Sequence, residues 1–260
     1  MTTAVTTDDL AGRVVVVTGA SRGVGRGIVR HLARRGVKLA VSARSRDGLD
    51  DVAAELTGLG APHVAHTVDA ADRDATFALV GAAVDTFGTL DGVVANAQTS
   101  PDPVGIEHIT EADLDLTMAA GAKGTLWLMQ AAFPHLHARG QGRVVTLGSN
   151  AALEGVATYG AYSAAKEAIR ALTRTAATEW GRYGITVNCV CPVSVRHHTP
   201  GLEDPDALAR FERSFSRQPI PHDGDLEHDI APVVAFLLSD ASAFVTGQTL
   251  MADGGRIMLR

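Results

Sequence analysis

The chain has 260 residues, 46% of them hydrophobic, with a net charge of −6 and an isoelectric point near 5.9. That is enough chain for a full core, and too little positive charge to neutralise the phosphates of a nucleic acid. No stretch approaches the roughly 20 apolar residues of a membrane span, and the opening MTTAVTTDDLAGR has neither a basic segment nor an apolar run, so a cytoplasmic protein of one domain, residues 1–260, with no membrane or nucleic-acid partner is expected.

In chain order, the β-branched run Arg13–Thr18 predicts a strand, and Val24–Arg35 carries helical spacing. The same alternation continues with strand Lys38–Ala43 and helix Leu49–Leu59, then strand His63–Val68 and helix Arg73–Phe87. Strand Gly92–Ala95 precedes one long predicted helix, Ala112–His137, and strand Gly142–Leu147 precedes helix Tyr159–Tyr183. Strand Thr186–Val190, helix Leu226–Leu238 and strand Thr249–Met251 complete the series. Strands alternating with helices predict an α/β fold, a doubly wound sheet of about seven parallel strands with helices on both faces. The strand runs are nearly continuous in apolar residues, as burial on both faces requires. Val193 to Asp225 breaks the alternation, is rich in Pro, His and charge, and reads as a loop or short lid helix over a site. Cys189 and Cys191, the only cysteines, alternate along a strand and are expected on one face as small buried hydrophobes. His63 and His66 have no Cys or acid at ligand spacing, so no metal site is expected. His135 and His137 end a helix, where cationic groups suit the dipole.

After the first strand, Thr18, Gly19, Ala20, Ser21, Arg22, Gly23, Val24 and Gly25 lead into a helix. Glycine lets the backbone turn sharply and approach a ligand, and the helix N-terminus directs free N–H groups at the turn, where a pyrophosphate is stabilised. The spacing differs from the literal GxGxxG fingerprint.

With Thr18, Gly19, Gly23 and Gly25 matching TGxxxGxG, the chain resembles the short-chain dehydrogenase/reductase family, and the likeness extends over almost its whole length. It includes Asp69, Asn96, YxxxK at Tyr162 to Lys166, Asn188 with Pro192, and the closing Asp253, Gly254, Gly255. In pattern it is most similar to 3-oxoacyl-[acyl-carrier-protein] reductase members. The resemblance implies a Rossmann-type fold and an oxidoreductase interconverting a ketone and a secondary alcohol with a nicotinamide cofactor. It implies cofactor contacts from the glycine loop with Ser21, Arg22 and Val24, from Ser45, Asp69, Ala70, Asn96 and Ala97, and from Tyr162, Lys166, Pro192 and Val195. A homodimer or homotetramer is implied through the two long helices, with the apolar end Ile257, Met258, Leu259 buried.

An acid at the end of the second strand would bind the ribose 2′-OH of NAD, and this chain has Ala43 and Arg44 there, with Asp47 and Asp50 falling too late. Arg44 and Arg22 suit a 2′-phosphate instead, so NADP(H) is expected over NAD(H). Tyr162 and Lys166, four residues apart, share a helix face. A free phenol titrates near pKa 10, and an ammonium beside it stabilises the phenolate, which fits acid–base work near neutrality. Ser149, at the end of the fifth strand, is placed to hydrogen-bond a carbonyl oxygen. Tyr159 fits the spacing to Lys166 less well. Ser149, Tyr162 and Lys166 are therefore the expected catalytic group, with Gln98 and His197 added at the small-molecule carbonyl or alcohol substrate.

Four positions depart from the family pattern. NNAG reads Ala95, Asn96, Ala97, Gln98; a helical Asn that anchors a proton-relay water is Gly121; the usual Pro-Gly is Pro192, Val193; and a cofactor-contacting Thr is His197. Slower proton transfer is the expectation at Gly121, and a nucleotide-binding protein with a dehydratase, isomerase or regulatory role is the alternative reading.

Overall fold

The computed structural model describes residues 9–196, 202–216 and 218–258. Seven strands, β1 (Val14–Thr18), β2 (Lys38–Ala43), β3 (His63–Thr67), β4 (Gly92–Ala95), β5 (Gly142–Leu147), β6 (Ile185–Pro192) and β7 (Thr249–Ala252), form one sheet in the order β3-β2-β1-β4-β5-β6-β7. Every pairing is parallel. β1 pairs with β2 on one side and β4 on the other, so the direction of winding reverses there. In sheets of this kind the reversal leaves a crevice at the C-terminal strand ends.

Side chains alternate across the pleat, and β1 shows how that makes two cores. Val15 and Val17 join one cluster, Val14 and Val16 the other. The first cluster is closed by α1 (Gly23–Arg34), α2 (Arg46–Gly58) and α9 (Ala231–Leu238), through Ile28, Leu32, Val52, Leu56, Val234 and Leu238. The second is closed by α3 (Arg73–Phe87), α5 (Gly124–Arg139) and α7 (Gly160–Trp180), through Leu79, Val80, Leu128, Leu136, Ala176 and Ala177. Cys189 and Cys191 are free and fully buried.

Several expectations need correction. The edge strands are not buried on both faces: His66 and Thr67 of β3 are exposed, and β7 is half-buried throughout. The predicted helix Ala112–His137 is not continuous. It divides into α4 (Glu111–Met118), a π-helical turn Ala119–Lys123, and α5. Gly121 and Gly124 explain why the chain tolerates the break, since a Cβ on Gly124 would lie 2.6 Å from Ala70 O and only glycine allows that approach. Leu226–Ile230, predicted as the start of a helix, is likewise a π turn feeding α9. Val193 to Asp225 contains α8 (Pro205–Ser214), whose N-cap Asp204 accepts from Ala207 N. A short helix unseen in the sequence, α6 (Asn150–Glu154), follows β5. In the single chain Met258 is exposed and Ile257 half-buried, and Leu259 lies outside the described residues. His137 stacks on Phe133 at a ring-centroid distance of 5.4 Å and meets Tyr183 edge-to-face at 4.4 Å. Among the described residues no helix is long and apolar enough to cross a membrane.

Two helices of the first layer are joined by charge. Glu55 on α2 accepts from Arg30 Nη2 at 2.6 Å and Nε at 2.8 Å, and also from Arg26. The Arg30 hydrogen bonds, then those of Arg26, lower the Glu55 carboxyl to about 2. A carboxyl whose folded pKa lies below its unfolded value adds stability above the unfolded value and loses it as pH falls toward the folded one. Glu55→Gln is therefore expected to cost about 1–2 kcal/mol at pH 7, discounted for solvent screening of a partly exposed group. Urea unfolding from pH 7 downward should show the difference from wild type shrinking below about pH 4.5 and closing near pH 2.

Candidate active site

The crevice begins where β1 ends. Gly19 and Gly23 take positive φ of +68° and +53°, turning the chain into α1. A Cβ on Gly25 would stand 2.2 Å from Gly19 O and 2.5 Å from Asn96 Nδ2, so the first turn of α1 is seated directly against the loop. Asn96 Nδ2 donates to Thr18 O and Gly19 O, both at 2.9 Å, and Thr18 Oγ1 accepts from Asn96 N and Ala97 N at 3.2 Å. The N-cap of α1, Arg22, makes no side-chain cap bond, and the first turn holds no acid. Its backbone N–H groups are thus left for an anion.

A cavity of about 390 Å³ runs from this loop across the C-terminal strand ends. Gly19, Ser21, Arg22, Gly23, Val24, Arg44, Ser45, Asp69, Ala70, Asn96, Ala97 and Gln98 line it, and Tyr162, Lys166 and Pro192 line its other end. Thr18 and Gly25 stand behind the wall and brace it. Val195 is not among the residues that line this cavity, and its N–H donates to Asp223 Oδ1 at 2.9 Å. Ser149 is buried next to the lining residue Gly148 without itself lining the cavity. His197 lies outside the described residues. Ala43, Val68, Thr99, Ala120, Leu147 and Gly148 also line the cavity and were not singled out as site residues from the sequence, five of them because they have no polar side chain. Among the described residues no group of three His, Cys, Asp or Glu side chains is placed to hold a metal ion.

At the end of β2, Ala43 gives way to Arg44, whose Nη1 donates to Thr99 Oγ1 at 3.3 Å, while Asp47 sits in the first turn of α2. A Cβ on Gly48 would touch Ser21 Cβ at 3.0 Å and Ser45 Oγ at 3.1 Å, so both serines gather at the start of α2. This end of the cavity carries two exposed guanidiniums, Arg22 and Arg44, and hydroxyl donors.

At the other end, Tyr162 stands in the first turn of α7 with Lys166 one turn on. Lys166 is 4% exposed, and its Nζ donates to Leu147 O at 2.9 Å and lies 5.7 Å from the Tyr162 ring centroid. An ammonium carries three donors, so hydrogen-bonding capacity remains beyond Leu147. The Tyr159 ring lies edge-on to Tyr162, 6.1 Å away. Ser149 is the N-cap of α6. Its neighbour Asn150 donates to Asp253 Oδ2 at 2.7 Å, and the same carboxylate accepts from Gly255 N and Ile257 N. The closing Asp-Gly-Gly thus fastens the C-terminal segment beside Ser149. Behind Gly148, the cysteine sulfurs fill the place a Cβ would take, 2.6 Å from it for Cys191 and 2.8 Å for Cys189. A hydrogen bond from Cys191 lowers the Cys189 thiol to about 7 and, with burial, raises that of Cys191.

A family model described as enoyl-(acyl carrier protein) reductase matches residues 19–256. L-rhamnose 1-dehydrogenase (NAD(P)(+)) of Azotobacter vinelandii is 34% identical, over 95% of this chain and 97% of its own. The chain belongs to the short-chain dehydrogenase/reductase family. A 12alpha-hydroxysteroid dehydrogenase of a Clostridium species is 33% identical, covering 94% of this chain and 96% of its own. The 3-oxoacyl-[acyl-carrier-protein] reductase of Staphylococcus aureus is 34% identical, at 94% and 97%. A short-chain type dehydrogenase/reductase from Mycobacterium ulcerans superposes with a TM-score of 0.87 at 30% identity, over 95% of this chain and 90% of its own. An NAD+-bound xylitol dehydrogenase gives 0.83 at 26%, over 93% and 98%. Relatives named for a sugar, a steroid and an acyl carrier protein stand at nearly equal identity, so sequence similarity separates none of these substrates.

The family uses a nicotinamide cofactor, and the glycine loop, free helix N-terminus and long cleft fit such a nucleotide. Gly25→Ala would push a methyl into Gly19 O. We expect it to weaken binding of a reduced nicotinamide dinucleotide about tenfold or more, measured by nucleotide fluorescence, in a protein whose far-UV circular dichroism is retained.

Proposed function

We propose that the protein is an NADP(H)-dependent oxidoreductase that interconverts a ketone and a secondary alcohol, with Tyr162 as acid and base. The observation that carries this reading is the continuity of one cavity from the Gly19–Val24 loop to Tyr162 and Lys166. It allows a dinucleotide laid along the strand ends to present its reactive end beside a phenol and an ammonium. Sugar, steroid and acyl relatives that are dehydrogenases or reductases by name support the reaction class.

In this reading the nucleotide pyrophosphate lies on the N-terminus of α1, and Arg22 and Arg44, with Ser21 and Ser45, hold a 2′-phosphate. The absence of a carboxylate at the end of β2 supports NADP(H), since an acid there would repel that phosphate. Asp69 and Ala70 face the adenine, and Asn96, Ala97 and Pro192 bound the rest of the nucleotide. When bound, the nicotinamide donates or accepts the hydride. In reduction, Tyr162 Oη gives its proton to the substrate oxygen as that oxygen gains negative charge; in oxidation it takes the proton back. The Lys166 ammonium stabilises the phenolate, and Ser149 hydrogen-bonds the same oxygen. Leu147 O fixes the ammonium so that it stays beneath the phenol. In this reading α8 (Pro205–Ser214) forms part of a lid over the substrate, and Asp223 accepts from the N–H groups of Val195 and Arg196. Exposed Leu114 and Leu116 on α4 and fully exposed Phe244 support burial in a homodimer or homotetramer.

Loss of NADPH absorbance on addition of a panel of cyclic, acyl and steroid ketones tests the reading. Tyr162→Phe should lower kcat roughly 100-fold or more while NADPH binding changes by less than about threefold. No consumption with any ketone, by an enzyme that binds NADPH, would favour the non-redox or regulatory alternative. Arg44→Ala should weaken NADPH binding about tenfold and leave NADH binding nearly unchanged, a ratio read from the two dissociation constants.

A further inference from the structure

The cavity floor contains a side-chain amide lodged where only a glycine can face it. Gln98, directly after the Asn96 and Ala97 pair that braces the phosphate loop, turns away from that loop toward the π turn between α4 and α5. Its Nε2 donates to Thr99 O at 2.7 Å and to Thr117 O at 3.3 Å, the latter in the last turn of α4. Its Oε1 is buried, has no hydrogen-bond partner among the described residues, and stands 2.4 Å from where a Cβ on Gly121 would be. A contact that short to a Cβ is not tolerated in a packed interior. A side chain at 121 and the Gln98 amide as it lies here therefore exclude one another.

The placement links two parts of the site that no backbone connection joins closely. On one side, Asn96 and Ala97 hold Thr18 and Gly19 of the phosphate loop. On the other, α4 and the π turn pack against α7, the helix of Tyr162 and Lys166. Gln98 stands between them, and Gln98, Ala120, Tyr162 and Lys166 share the cavity wall. A buried amide oxygen without a partner is costly to keep, and such groups persist where the surrounding structure serves a task.

We propose that Gln98 is a positioning residue, and that Gln98 and Gly121 work as one reciprocal pair that sets the distance between the cofactor loop and the Tyr162 helix. This rests on the oxidoreductase reading for its kinetic consequence, although the pairing itself does not. Gln98 acts through the floor of the cleft rather than on the reacting atoms, so its removal should disturb turnover more than substrate affinity.

The test is a double-mutant cycle in the full-length protein with Gln98→Gly, Gly121→Val and the two combined. Each single change should lower kcat about tenfold with KM for the ketone moving less than about threefold, and the pair together should return kcat to within about threefold of wild type. Gln98→Glu, which keeps the shape but removes the amide donor, should behave as a single loss. The dissociation constant for NADPH, measured by fluorescence on the same proteins, should show the same rescue. If no ketone is turned over, the oxidoreductase reading fails, and the NADPH constants still decide the pairing. Losses that simply multiply in the combined variant, or singles indistinguishable from wild type in both readouts, would overturn the proposal. If Gly121→Val does not fold, Gly121→Ala with and without Gln98→Gly supplies the same cycle.

Discussion

The Asn96 side chain donates to Thr18 O and Gly19 O, 2.9 Å each, and ties the ends of β4 and β1 together where the winding of the sheet reverses. Each such part-buried bond contributes on the order of 1 kcal/mol. Gly25 can approach Gly19 O only because it has no Cβ, and the same amide limits the space beside both glycines. The N-terminus of α1 is thereby aimed along the crevice. Everything that follows in the cleft is set by where that helix points.

From this fixed end the site extends in two directions. Toward β2 it meets Arg44 and, across the loop, Arg22, and toward β5 it meets Lys166, held on Leu147 O, with Tyr162 above it. The two ends rest on different layers of the fold, α1 and α2 on one face and α7 on the other. Their separation is governed by the sheet between them and by the contacts at the floor of the cleft. An enzyme that moves hydride and proton to one carbonyl needs both distances right at once, because misplacement of about 1 Å can cost two orders of magnitude in rate.

Much of the architecture was legible because it follows from period and position. Buried strands such as Val14–Thr18 announce themselves as β-branched runs, and α1 and α3 by their spacing and by glycines that only a turn or close approach explains. Gly19, Gly23, Tyr162 and Lys166 stood out because their chemistry is local in sequence. The π turn at Ala119–Lys123 was invisible, since apolar spacing through Ala112–His137 continues across one inserted residue. The exposure of β3 was missed for a different reason: whether a strand is central or an edge is decided by strand order, which residues 63–67 do not encode. Gln98 was noticed as a bulky replacement, but its partner Gly121, 23 positions away, is found only when the fold brings them together.

The central claim is that one cleft holds a nicotinamide dinucleotide with its reactive end at Tyr162 and Lys166. A crystal structure of the protein grown with saturating NADPH tests it most directly. The account predicts the pyrophosphate on the backbone N–H groups at the start of α1, the 2′-phosphate between Arg22 and Arg44, and the nicotinamide beside Tyr162. A nucleotide bound elsewhere, or a nicotinamide directed away from Tyr162, would contradict it.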